Sequence, residues 1–282
     1  MMRWAGELRE LTKLHCNVCG YRTFDDFHGR KNAMCRACGS LERTRFLWLH
    51  LDKLVKPGHR VLHFAPERGI YKRLTERLDS EHYTISDINA GWYGWAADLQ
   101  SIDMTNLDDL PSFEFDFIVH SHVLEHIPCN EAYTLFHLHR ALKKDGRHIF
   151  IIPIRRGRYY DCAYNGVDHR ERERRFDQSD HVRIFGLEDL DMSLGKLLEL
   201  PQNYDALDQF SIEQLTGIGL PETYWKGLSV NSVLNLGRHD MKLLLKEPPP
   251  PSPSTSTSET SRPAAGDTSI DRSSSEGEEK GR

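Results

Sequence analysis

Residues 60–87 read RVLHFAPERGIYKRLTERLDSEHYTISD. The apolar run Arg60–Ala65 has the length of a buried strand, a helical stretch follows to Leu78, and HYTIS is a second strand that ends at Asp87. Strand, helix and strand in that order form a βαβ unit. Sheets of this kind bind nucleotides in the crevice at the carboxyl end of the first strand, which here is the turn Ala65-Pro66-Glu67-Arg68-Gly69. The turn holds one glycine, where a dinucleotide fingerprint would hold three. Asp87 closes the second strand, where an acid can accept two hydrogen bonds from a ribose diol; the alternative is a capping aspartate.

Outward from this unit the alternation continues. FDFIVHS (115–121) reads as a buried strand, Glu131–Leu142 as an amphipathic helix and RHIFIIPI (147–154) as another strand, so the sheet is expected to be mostly parallel. Ser211–Thr216 reads as helical. Residues 231–246, NSVLNLGRHDMKLLLK, read as a hairpin of two apolar runs around Gly237–Asp240. The expected class is α/β: a doubly wound, mostly parallel seven-stranded sheet with a terminal antiparallel hairpin, plus a small N-terminal zinc ribbon. Three segments follow: a ribbon over 1–39, a nucleotide-binding-type domain over 40–246, and a disordered tail over 247–282 whose Pro, Ser, Thr and charge cannot bury a core. Residues 155–180 are rich in arginine but carry nearly as many acids, which predicts a solvated mixed-charge surface.

The ribbon rests on Cys16, Cys19, Cys35 and Cys38, spaced C-x2-C-x15-C-x2-C. Four thiolates close a tetrahedron around one Zn²⁺ with no open position, so such a site is structural. Gly20 and Gly39 follow the second cysteine of each pair, where glycine permits the tight turn that aims N–H groups at sulfur. Two disulfides, or an iron site, would use the same residues; the ligand set and spacing suit zinc. Ser40 is expected to cap a helix running to about Leu54, with Leu47, Leu51 and Leu54 at helical spacing. Cys129 and Cys162 have no partner at ligand spacing and are assigned no chemistry.

A net charge of −5 gives no bulk electrostatic reason for tight nonspecific nucleic-acid binding. The opening MMRWAGELRELTKL lacks a continuous apolar run, so neither a signal peptide nor a membrane span is expected. With paired CxxC motifs and no secretion signal, the expected compartment is the cytoplasm.

Read together, several blocks carry a resemblance: CxxCG and CRACGSLER (35–43), VLHFAPE (61–67), SDIN (86–89), DMTNL (103–107), FDFIVHSHVLEHIP (115–128), LKKDGRHIFIIPI (142–154) and DHVRIFG (180–186). In these blocks the chain resembles class I S-adenosylmethionine-dependent methyltransferases, specifically the type-11-like bacterial group with an N-terminal zinc ribbon. The resemblance implies S-adenosylmethionine as cofactor beside the structural zinc. It places Ala65, Glu67 and Gly69 at the methionine end, Asp87 on the ribose hydroxyls, Asp103 and Met104 around the adenine, and Ser121 at the same crevice. Most of the wider family has Gly-x-Gly-x-Gly where this chain has Ala65, Glu67 and Gly69. Glu67 offers a carboxylate to the sulfonium and ammonium that a bare glycine loop cannot.

Methyl transfer from a sulfonium is an in-line displacement, so positioning supplies much of the rate and a base is optional. For a hydroxyl or amine acceptor, His122 is the favoured base. H122-V-L-E125-H126 resembles a metal-holding Glu-x-x-Glu-His segment of quinone-pathway O-methyltransferases, but His122 stands in place of the first acid and weakens a metal reading. His181 and Arg183 are the expected acceptor contacts, with a structural salt bridge as the alternative. His63 reads as a core histidine. The acceptor, whether a small molecule or RNA, and the oligomeric state are not fixed by the sequence. A noncatalytic adaptor with a degenerate pocket is the competing function, and a nicotinamide oxidoreductase would be expected to show the three-glycine turn.

Overall fold

The computed structural model describes residues 14–163, 166–176 and 178–243; the expected tail over 247–282 lies outside them. The central sheet contains β3 (Val61–Phe64), β4 (Tyr83–Ser86), β5 (Phe115–Ser121), β6 (Leu142–Ile151) and β10 (Leu234–Gly237). Its spatial order is β10-β6-β5-β3-β4, with the three pairings among β4, β3, β5 and β6 parallel and β10 antiparallel to β6. All four β3 residues are buried, which is why the strand reads as an unbroken apolar run around His63.

Two helices cover one face. These are α1 (Glu42–Leu54), through Phe46, Leu47 and Leu51, and α2 (Arg68–Thr75), through Ile70 and Leu74; they pack on Val61, Val119, Ile149 and Ile151. The opposite face carries α3 (Glu131–Ala141), whose Leu135 and Leu138 pack on Leu62, Ile118 and Phe150. The Asn130 side chain caps α3 by accepting from the Ala132 N–H at 2.8 Å.

Among the described residues the central sheet has five strands, where seven were expected. After β4 the chain meets it again only at a single parallel bridge, Ser86 to Gln100. The intervening INAGWYGWAADL has two glycines and no alternation to sustain a strand. The terminal hairpin is also corrected: β10 pairs with β6, the chain turns through Arg238–Asp240, and Met241 bridges Leu198 instead of returning along β10. A separate small sheet joins β7 (Ile154–Arg155), β8 (Tyr160–Asp161) and β9 (Arg183–Gly186) in the order β7-β9-β8.

The cysteine module contains the hairpin β1 (Phe24–Phe27) and β2 (Arg30–Cys35) and lies in the same compact unit as the sheet. Cys16, Val18 and Cys35 share the apolar core of α1 and α2. Arg45 of α1 is fully buried and ties the parts together: its guanidinium donates to the carbonyls of Ile218, Ala33 and Ser40 at 2.6, 2.9 and 2.8 Å. Among the described residues, no helix is long and apolar enough to cross a membrane.

Candidate functional site

The four cysteine ligands converge, with Cys16 Sγ 3.6 Å from Cys38 Sγ and Cys19 Sγ 3.6 Å from Cys35 Sγ. Disulfide sulfurs would lie about 2.05 Å apart. Tetrahedral Zn²⁺ with bonds of about 2.3 Å would hold thiolates about 3.8 Å apart, so the arrangement fits a tetrathiolate ion. The two knuckles match: Gly20 (φ 79°) donates to the Cys16 carbonyl at 2.6 Å, and Gly39 (φ 72°) to the Cys35 carbonyl at 2.8 Å. Ser40 does not cap α1. Its hydroxyl lies 3.1 and 3.2 Å from the Cys16 and Cys38 sulfurs, and the N-cap position falls on Leu41, whose side chain makes no capping bond.

The chain crosses from β3 to β4 on one side, and β5 lies on the other side of β3. The carboxyl ends of β3 and β5 therefore flank a topological switch point, where open α/β sheets bind ligands. Two non-glycine residues adopt left-handed backbone there, Ala65 after β3 (φ 46°) and His122 after β5 (φ 55°). Such geometry is unfavourable for L-residues and concentrates at functional sites.

Glu67 is the N-cap residue of α2, though its side chain makes no capping bond. Its Oε2 is 3.3 Å from His63 Nε2, yet both atoms are buried without an aligned hydrogen bond. His63 Nδ1 in turn meets the Tyr83 hydroxyl at 2.9 Å. Burial pushes the Glu67 carboxyl up, but the His63 contact and the Arg43 charge outweigh it and hold the group below the usual carboxylate value. Arg43 lies two residues into the helix that leaves the ribbon. Burial lowers its pKa, opposed by the charges of Glu67 and Glu125. The sequence reading missed both His63 and Arg43 as parts of this crevice.

Asp87, at the end of β4, accepts from the Asn89 N–H through Oδ1 and from the Tyr93 hydroxyl through Oδ2, both at 2.7 Å. It thus caps a turn, while each oxygen keeps a lone pair for a further donor. Burial and the Asp87 contact raise the Tyr93 phenol, so it remains a donor. Asp103 Oδ1 accepts from the Thr105 N–H and hydroxyl, both at 2.8 Å. The Met104 side chain is buried in the apolar core of the α3 face, which leaves its main chain as the part able to meet a base. Ser121 ends β5 with its Oγ buried and unpartnered.

Three expected roles change. Gly69 packs against the ribbon: an added Cβ would lie 2.8 Å from Val18 Cγ1 and 3.6 Å from Cys38 Sγ, so its lack of a side chain serves close packing rather than approach to a cofactor. Arg183 is fully buried, pairs with Asp161 at 3.1 Å and donates to the carbonyls of Leu124 and Cys129 at 2.9 and 2.5 Å. It is a clamp between β9 and the turn after β5 and has no face left for an acceptor. His122 donates from Nε2 to the Val230 carbonyl at 3.1 Å and turns Nδ1 to Glu125 Oε1 at 3.0 Å. With one nitrogen on a carbonyl and the other facing a buried carboxylate, it offers no lone pair to the crevice as a base. His181 is nearly buried beside His126, with ring centroids 4.5 Å apart.

A separate cavity of about 400 Å³, lined by Phe46, His50, Tyr204, Phe210 and Leu236 among others, touches none of the sequence-predicted site residues.

No protein-family model matches the sequence. No curated protein matches it. Among solved structures, the chain is similar to the 4+2 cyclase SpnF at 16% identity, over 54% of this chain and 54% of that chain, with a TM-score of 0.37. It is similar to the YcgJ protein from Bacillus subtilis at 19% identity over 63% and 78% of the two chains, TM-score 0.38. A SAM-dependent methyltransferase from Archaeoglobus fulgidus is similar at 16% identity over 60% and 75%, TM-score 0.37. The match spans about half the length of the cyclase. Likenesses at these scores assign neither family nor activity, which leaves the crevice's own chemistry to do so.

Proposed function

We propose that the chain is an S-adenosylmethionine-dependent methyltransferase whose ribbon holds a structural Zn²⁺. The observation that carries this reading is the Glu67 carboxylate at the N-terminus of α2. A dinucleotide would put its pyrophosphate at that helix end. Here a part-buried carboxylate, its Oε2 enclosed, would repel it, and the glycine beneath is already packed against Val18. A cofactor carrying a sulfonium and an ammonium meets attraction at the same place.

The residues present fit that group. Asp87 retains acceptor capacity for a ribose diol, Asp103 Oδ2 has no partner among the described residues, and the Ser121 hydroxyl is buried and unsatisfied. Glu67 would face the cationic end, and Arg43, close enough in charge to Glu67 and Glu125, would face the cofactor's carboxylate. When bound, S-adenosylmethionine supplies an electrophilic methyl group. The protein's part is positioning: Tyr83 and His63 hold Glu67, Tyr93 holds Asp87, and Val230 and Glu125 hold His122 at the edge of the crevice. Since His122 is so held, no side-chain base is assigned.

Glu67→Gln keeps the shape and removes the charge. Its S-adenosylmethionine affinity should fall about tenfold, in line with a charge-assisted contact, while zinc content stays at the wild-type level. Unchanged affinity would remove the electrostatic basis of the proposal.

A further inference from the structure

Past the switch point, the turn after β5 and the segment before β9 bring together three side chains, of which the cofactor reading uses only Glu125, and that one to hold His122 and beside Arg43. Glu125, His126 and His181 each offer a ligand atom, and these atoms lie within 4.8 Å of one another. Glu125 is fully buried, and neither of its oxygens has an aligned hydrogen bond; His181 is 6% exposed with Nδ1 buried and unpartnered. A buried carboxylate whose single polar neighbour, His122 at 3.0 Å, makes no aligned hydrogen bond is costly, and under-satisfied groups of this kind call for a ligand.

The surroundings are built as metal sites are built. Asp180 Oδ2 lies 3.2 Å from His126 Nδ1, which turns Nε2 of that ring away from the acid as the free ligand atom. His122 faces Glu125 at 3.0 Å, leaving the second carboxylate oxygen. The two segments that carry the cluster are locked together: Val182 N–H donates to the Glu125 carbonyl at 2.8 Å, and Arg183 bridges to the Leu124 and Cys129 carbonyls. The clamp explains why His181, far away in sequence, stands beside His126. Arg155, whose charge reaches His181, opposes a cation, against the negative charges of Glu125 and Asp180.

We infer that Glu125, His126 and His181 bind a divalent transition-metal ion through two imidazoles and one carboxylate, with open positions toward the crevice. Two nitrogens and one oxygen suit Zn²⁺, Fe²⁺, Co²⁺ or Mn²⁺ rather than Mg²⁺ or Ca²⁺, which take oxygen ligands. Closing on an ion with bonds of about 2.1 Å would draw the donors to about 3.0–3.5 Å apart. His126, part-exposed, has the freedom to make that movement. Three protein ligands leave room for an acceptor oxygen. That role rests on the methyltransferase reading, whereas metal binding itself does not.

The test uses the full chain loaded with Zn²⁺ and freed of loose metal, wild type against His126→Asn and His181→Asn, with metal counted per chain. His126→Asn changes a part-exposed residue and keeps the fold testable. Wild type should hold two ions and each variant one, with the ribbon's thiolates intact. Cobalt substituted at the second site should give weak ligand-field bands without thiolate charge-transfer absorption. One ion per wild-type chain, or two in both variants, would overturn the proposal. S-adenosylmethionine binding measured on the same samples separates the two readings: binding with one metal sinks only this inference, and two metals without binding sinks only the cofactor assignment.

Discussion

The cysteine module and the switch-point crevice solve opposite problems a few residues apart. At the module's two knuckles the left-handed backbone falls on Gly20 and Gly39, with His28 and Asn32 sharing it in the hairpin, and the sulfurs and Ser40 find partners within the module, while Arg45 also bonds the Ile218 carbonyl. In the crevice, left-handed backbone falls on Ala65 and His122, and buried oxygens of Glu67, Ser121 and Glu125 have no aligned partner. The sulfur cluster satisfies its groups internally. A region that serves a ligand keeps groups waiting for it, at a cost in strain and desolvation that the surrounding core must cover. Gly69 is the point where the two touch, since the same residue that opens the crevice helix lies under Val18 of the module.

The largest effect should come from the module. Cys35→Ser removes one of the four cysteines proposed to close a tetrahedron around zinc, and structural zinc contributes on the order of 10 kcal/mol to folding in zinc-finger peptides. The variant should lose stoichiometric zinc and its cooperative melting transition; a zinc-free but normally folded variant would break the comparison.

Acid should act next, on both sides of the sheet. Burial pushes His50 and His120 down to about 3 and His139 to about 4. These rings are neutral in the fold and take up protons near pH 6.5 when unfolded. Between those values the unfolded chain binds more protons, so stability is full above pH 6.5 and falls as pH drops toward 3–4. The slope approaches about 1.4 kcal/mol per pH unit for each histidine. Melting temperature against pH reads this directly, and a flat profile from pH 7 to 5 would contradict the burial.

Arg183→Ala should cost about 2–4 kcal/mol, because it leaves a cavity and takes the donor from the Leu124 and Cys129 carbonyls, while the part-exposed Asp161 keeps its bonds from Tyr159 and Ala163. A folded, fully stable variant with only a weakened acceptor KM would restore the substrate-contact role. Asp87→Ala should weaken S-adenosylmethionine binding about 10- to 100-fold and leave zinc in place. The smallest change belongs to Ala65→Gly, which relieves a left-handed alanine and should move stability by less than about 1 kcal/mol. Its greater effect should be on affinity, through a looser turn.

Much of this was legible in the sequence because it is local. The strands β3 to β6 announce themselves as apolar runs, and the ligand spacing of the module is a property of adjacent residues. What was not legible is nonlocal. The arginine of DHVR reads as either an acceptor contact or a structural salt bridge until its partners, Asp161 and the turn 124–129, are brought to it. Gly69 reads as part of a cofactor loop because nothing in the loop itself tells of Val18. Ala65 at positive φ breaks the rule that such a position is glycine. Arg43 belongs by sequence to the helix that leaves the module and by charge to the crevice.

The most direct test of the central claim is calorimetric titration of the zinc-loaded chain with S-adenosylmethionine and S-adenosylhomocysteine, with NAD as control. The expected result is one site per chain with micromolar affinity for the first two, and no heat of binding from NAD. Binding of NAD, or no binding of either sulfur ligand to a folded and zinc-replete sample, would contradict a crevice built around Glu67 for a cationic cofactor.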